Sequence, residues 1–138
     1  MKKQVLFSLL TTVLLMAAGS AYAQLGSKQE VRANVPFDYK VGNATIKAGD
    51  CSIRAAGIAD VVAIRCAGSE AKLALTGLVS GKPAAETKLV FHKYGDEYFL
   101  AQIWIGGEDT GRQLPRTHAE KELMSRAEPD SVVIVAQK

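Results

Sequence analysis

After its first two dozen residues the chain alternates apolar and polar positions in short runs separated by turn residues. Glu30–Phe37 sets Val31, Ala33, Val35 and Phe37 on one face of an extended segment, which is the period of a half-buried strand. Pro36 cannot donate to a ladder, so the strand is expected to end there or lie on an edge. Val41-Gly42-Asn43 and Ala48-Gly49-Asp50 read as turns around a short extended piece, Ala44–Lys47. Cys51–Ala55 and Val61–Cys66 flank a Gly57-containing turn. Lys72–Val79 follows, with Leu73, Leu75 and Val79 on one face, before Gly81-Lys82-Pro83 breaks the chain again.

The strongest local signal is Thr87–Ile105. Two β-rich runs meet at Gly95-Asp96, a glycine-first pair that suits a two-residue hairpin. That register pairs Phe91 with Leu100, Leu89 with Gln102 and His92 with Phe99. It places Leu89, Phe91, Leu100 and Trp104 on one side, and Val90, Phe99, Ala101, Ile103 and Ile105 on the other. A hairpin apolar on both faces must be covered on both. One cover is at hand: Thr117 and Glu120 form a capping-box pair ahead of a helix predicted from His118 to Ala127, with Ala119, Leu123, Met124 and Ala127 as its apolar stripe. Ser131–Gln137 reads as a final β-branched strand that returns to the sheet. The expected class is all-β and mainly antiparallel, a small barrel or sandwich of about eight short strands with one short late helix.

The opening residues follow a different pattern. Lys2 and Lys3 precede a charge-free apolar run, Val5–Ala18, then Gly19-Ser20 and Ala21-Tyr22-Ala23. This is a secretory leader with a small-residue cleavage site. Read instead as an uncleaved anchor it is short, because a span needs roughly 18 or more apolar residues. Residues 1–23 are therefore expected to be removed after Ala23, leaving a single β-rich domain over 24–138, periplasmic or extracellular, with no membrane span of its own. The formal charge of +3 shrinks when Lys2 and Lys3 leave, and the remaining cations are mixed with acids. No basic stripe with interleaved aromatics remains, so nucleic acid is not an expected partner.

Export gives the two cysteines an oxidising setting. A hairpin centred between Ile58 and Ala59 puts Cys51 directly opposite Cys66, close enough to bridge. Two free buried thiols are the alternative. Catalytic signals are sparse. There is no G-x-S-x-G elbow, and Gly106–Gly111 lacks the Lys-Ser/Thr of a phosphate loop. His92, His118 and Glu120 lack the close spacing of a metal site, and neither a metal nor a cofactor is expected. The cluster of Phe91, His92, Tyr94, Tyr98, Phe99 and Trp104 reads first as packing, and otherwise as a wall for a small apolar ligand or a protein partner.

Val35-Pro36-Phe37-Asp38-Tyr39 with Val41-Gly42, then Ala48-Gly49, then Lys88–Leu100 with its F-H-x-Y-G-D-x-Y-F-L core, and Trp104 and Glu120, together resemble a group of small exported bacterial proteins of unassigned activity. The resemblance covers most of residues 24–138 and implies a β-rich domain outside the cytoplasm. It carries no catalytic residue to this chain. Cys51 stands where that group carries an aromatic residue, which makes the bridge a feature of this chain. The expected function is an exported, non-enzymatic β domain that binds a partner or supports the envelope or outer surface. The alternative is a carrier of a small hydrophobic ligand, with a barrel pocket lined by the 87–105 hairpin.

Overall fold

A computed structural model describes residues 29–58 and 60–137. The leader and the cleavage site after Ala23 lie outside the described residues. Among the described residues, eleven strands and one helix follow in chain order. They are β1 (Glu30–Val35), β2 (Tyr39–Val41), β3 (Ala44–Ile46), β4 (Gly49–Ala55), β5 (Val61–Cys66), β6 (Lys72–Leu75), β7 (Gly77–Ser80), β8 (Lys88–Tyr94), β9 (Glu97–Trp104), β10 (Thr110–Gln113), α1 (His118–Arg126) and β11 (Asp130–Val135).

One sheet has the order β1-β4-β5-β6, and the other β11-β8-β9-β10-β7. The β2–β3 hairpin joins the second sheet through a parallel bridge from Lys40 to Phe99. All other named pairings are antiparallel. The two sheets face each other as a sandwich. They do not close into the barrel that the strand count also allowed. At one edge they meet through a single bridge, with Arg32 N donating to Gln137 O at 2.8 Å and Gln137 N to Arg32 O at 2.7 Å. At the other edge the chain itself crosses between sheets at Thr76.

That crossing splits the predicted Lys72–Val79 strand in two. Thr76 is buried; its backbone N–H and its hydroxyl both donate to Asp60 O, at 2.7 and 2.9 Å. Asp60 holds φ +63, a left-handed conformation that Asp tolerates better than most residues. Ala74 and Thr76 turn inward, so Leu73 and Leu75 face outward and stay exposed.

Elsewhere the period-2 pattern decides the inner face. Val31, Ala33 and Val35 are buried from β1, which ends before Pro36 as predicted. Cys51 lies opposite Cys66 in the β4–β5 ladder, and the two are bridged. The β8–β9 turn is Gly95-Asp96, with Gly95 at φ +60. Tyr39, Phe91, Ile64, Leu89 and Val35 are the most deeply enclosed side chains, each less than 2% exposed. Burial pushes the Tyr39 hydroxyl up to about 12.

The β8–β9 register departs from strict alternation at one point. Phe91 pairs with Leu100 and His92 with Phe99 as expected, but Val90 pairs with Gln102 and Leu89 with Ile103. Ala101 is the extra residue of a β-bulge. Past it the faces exchange, because a one-residue slip turns every following side chain over. Ile103 therefore joins Leu89, Phe91 and Leu100 in the core, and Trp104 moves to the outer face. There the indole is covered by glycines. A Cβ on Gly111 would stand 2.7 Å from the ring and one on Gly81 3.0 Å, so only glycine lets the backbone approach this closely.

The helix also differs from its predicted stripe. Thr117 caps it, with its hydroxyl accepting from Glu120 N at 3.2 Å. Ala119, Met124 and Ala127 are exposed and Leu123 is half-buried; the buried side chain is Glu120. A carboxylate, not an apolar stripe, meets the sheet.

Candidate functional site

The six aromatic and histidine side chains singled out from the sequence do not form one wall. Phe91 and Tyr98 lie on the inner face of the second sheet. Phe91 packs edge-on against Phe37 and Tyr39, at 5.0 and 5.1 Å between ring centroids, and Tyr98 stacks on Phe37 at 3.7 Å. His92, Tyr94, Phe99 and Trp104 lie on the outer face. Lys40 Nζ stands 5.5 Å from the Phe99 ring centroid, a cation–π distance.

Under the helix, His92 and Tyr94 converge on Glu120. Tyr94 Oη donates to Glu120 Oε1 at 3.1 Å, and His92 Nδ1 lies 3.1 Å from the same oxygen. Tyr94 also meets Phe99 edge-on, with centroids 5.7 Å apart. Glu120 does not reach back to complete a capping box; its carboxylate is committed to the sheet. His118, on the exposed side of the helix, pairs instead with Glu122 at 3.3 Å. Among the described residues no three His, Cys, Asp or Glu side chains gather as a metal-binding group.

The Tyr94 hydroxyl is raised above its ordinary 10.0, first by burial and then by the Glu120 charge. It therefore stays a protonated donor through neutral pH. Because its folded value lies above the unfolded one, its contribution is complete below that ordinary value and is lost as pH climbs beyond it. Glu120→Ala should leave the buried Tyr94 hydroxyl and the half-buried His92 ring without their carboxylate partner and lower stability by about 2 kcal/mol. Glu120→Gln, which keeps an oxygen in place, should cost less. Urea denaturation of both variants at neutral pH checks this; an unchanged midpoint for Glu120→Ala would show that the cluster does not anchor the helix.

A second feature lies between the sheets, at the end where β4–β5 and β7–β10 open. It is a cleft of about 420 Å³, within the usual range for a small-molecule site. Its apolar floor comes from both sheets: Val31, Ile53 and Val62 on one side, Ile103 and Ile105 on the other, with Leu78 at the mouth. These residues are far apart in sequence, and only the sandwich brings them together. Of the 87–105 hairpin, Ile103 and Ile105 line the cleft, and none of the six residues named above does. No sequence motif pointed to it.

No family model, curated protein or solved structure matches the chain.

The cleft is not the largest concavity. A groove of about 710 Å³ runs over the outer face of the first sheet, with Arg32, Ser52, Arg65, Asn34 and Asp50 among its lining residues. Its charges are hydrated: the Arg32 side chain is 73% exposed in its 3.1 Å pair with Glu30. Such a surface gains little by exchanging water for a ligand. The cleft, by contrast, is floored by Val31, Ile53, Val62 and Ile103, each no more than 5% exposed, beside half-buried Ile105 and exposed Leu78, and covering the apolar surface still open there is favourable at roughly 25 cal/mol per Å².

Proposed function

We propose that this chain is an exported, non-enzymatic binding domain that holds a small apolar molecule in the cleft between its sheets. The observation that carries this reading is the apolar floor shared by Val31, Ile53, Val62, Ile103 and Ile105 at an open end of the sandwich. Apolar walls with a few polar groups at the rim are the common form of a ligand site. Export draws support from the leader pattern and from the Cys51–Cys66 bridge, which belongs to oxidising compartments. Among the described residues no helix is long and apolar enough to cross a membrane. The absence of turnover is inferred from where the polar groups gather: Glu120, His92 and Tyr94 meet on the outer face of the second sheet, away from the cleft.

Trp104 is the only tryptophan, and its chain neighbours Ile103 and Ile105 both line the cleft. Titration with decanol should give a saturable change in its emission. Ile105→Asp, which sets a charge in the apolar wall, should weaken that binding about tenfold or more. A flat titration of the unaltered protein counts against the cleft.

A second reading rests on the β6–β7 edge. Leu73, Leu75 and Leu78 are 65%, 62% and 69% exposed, and no charged residue stands between Lys72 and Lys82. Uncharged apolar strand edges attract partners. A flat decanol titration, together with self-association in light scattering that Leu73→Lys removes, would favour a protein partner along this edge.

A further inference from the structure

The cleft is apolar at its floor but not at its rim, where two arginines stand against one carboxylate among the lining residues. One row of residues crosses the inner face of the second sheet through the paired positions Leu78, Arg112, Ile103, Leu89 and Ile134. Arg112 is the one cation in that row. It occupies an inward-facing register position on β10, at the open end of the row, with its side chain 38% exposed. A second cation, Arg54, lines the cleft from the exposed, outward-facing position next to Ile53 on β4. Glu108, Thr110 and Gln29 complete the polar lining.

Both arginines have weak partners. Arg112 Nη1 lies 3.4 Å from Asp60 Oδ1 and 3.3 Å from Thr76 Oγ1. Arg54 Nη2 lies 3.5 Å from Glu30 Oε1. A strong guanidinium–carboxylate bond is shorter, at about 2.7–2.9 Å, and pairs this long and exposed are readily exchanged. Arg112 and Arg54 therefore keep donors to offer an anion, and a guanidinium takes a carboxylate through two parallel bonds.

The geometry points to a single-chain amphiphile with an anionic head as the ligand. Its hydrocarbon tail lies on Val31, Ile53, Val62, Ile103 and Ile105, and its carboxylate or phosphate head lies between Arg54 and Arg112. This inference rests on the cleft reading above and adds the sign of the head group.

The test is a set of calorimetric titrations of the processed, oxidised protein. The probes are decanoate, decanol and decyltrimethylammonium, each below its micellar concentration, and phosphatidylglycerol vesicles. Decanoate should bind about tenfold or more tighter than decanol, with decyltrimethylammonium weakest. Arg54→Gln, at a position outside the Asp60–Thr76 corner, should lose most of that preference, bringing the decanoate affinity down towards that of decanol. Equal affinity for all three single-chain probes, or an Arg54→Gln protein that keeps the full preference, overturns the head-group assignment and leaves the cleft standing. Failure of all three to bind overturns both. Binding to vesicles without binding to decanoate overturns the single-chain ligand and points to a lipid surface.

Discussion

Phe91→Ala should remove about 4 kcal/mol of stability, the largest loss expected from any single truncation in this domain. Phe91 is fully enclosed. Its ring is wedged edge-on between Phe37, which arrives after the β1 end, and Tyr39, which opens β2. Its strand neighbours Leu100 on β9 and Val132 on β11 hold it from either side. Three sections of chain distant in sequence therefore close on one ring, and none can follow a retreating side chain without breaking its own ladder. The cavity would persist, so the lost transfer energy and the lost dispersion contacts add. Urea unfolding followed by Trp104 emission measures this. A loss under roughly 1.5 kcal/mol would mean that the site collapses and that the packing around Phe37 and Tyr39 is loose. A small domain has about 5–15 kcal/mol in total, so the variant should sit near the edge of folding at ambient temperature.

Removal of the Cys51–Cys66 bridge should cost about 3 kcal/mol, chiefly by releasing the unfolded chain. The two residues are 15 apart in sequence, a short loop whose closure is already favoured by the β4–β5 hairpin. In the folded state the bridge joins directly opposed residues on the inner face, and Tyr39 Oη lies 3.5 Å from Cys66 Sγ. The double variant Cys51→Ala/Cys66→Ala, melted beside the oxidised and the reduced parent, separates the two contributions. The reduced parent should lose the cross-link alone; the double variant also loses two buried sulfurs. Equal melting of oxidised and reduced parent would show that the bridge carries no folding energy.

Much of the fold was legible in short-range pattern. Alternation over Glu30–Val35, the arrest at Pro36, the Gly95-Asp96 turn and the Cys51–Cys66 opposition follow from strand geometry within one or two adjacent segments. What escaped has a physical cause in each case. The bulge at Ala101 adds a single residue to β9, and nothing in an apolar run such as Phe99–Ile105 marks where the alternation slips. The outcome is large nonetheless, since Ile103 and Trp104 exchange faces. The Lys72–Val79 segment reads as one strand because Thr76 has high strand propensity. Its role as a corner depends on Asp60, 16 residues earlier. Thr117 was recognisable as a helix cap, but Glu120 had an alternative partner that only the sheet could supply: the paired donors of His92 and Tyr94. The cleft was the least legible feature. Its walls come from β1, β4, β5, β7, β9 and β10, and no local window contains more than a few of them. Arg112 looks like an ordinary surface cation until β10 is placed against Ile103 and Leu78.

The most direct test of the binding site is a methyl-labelled NMR titration of the processed, oxidised protein with decanol. Saturable shifts should appear at Val31, Ile53, Val62 and Ile103, while Val35 and Leu89, deep in the same core, stay still. Unmoved methyls at those four positions, with changes confined to Leu73 and Leu75 on the outer edge, would contradict the cleft as the binding site.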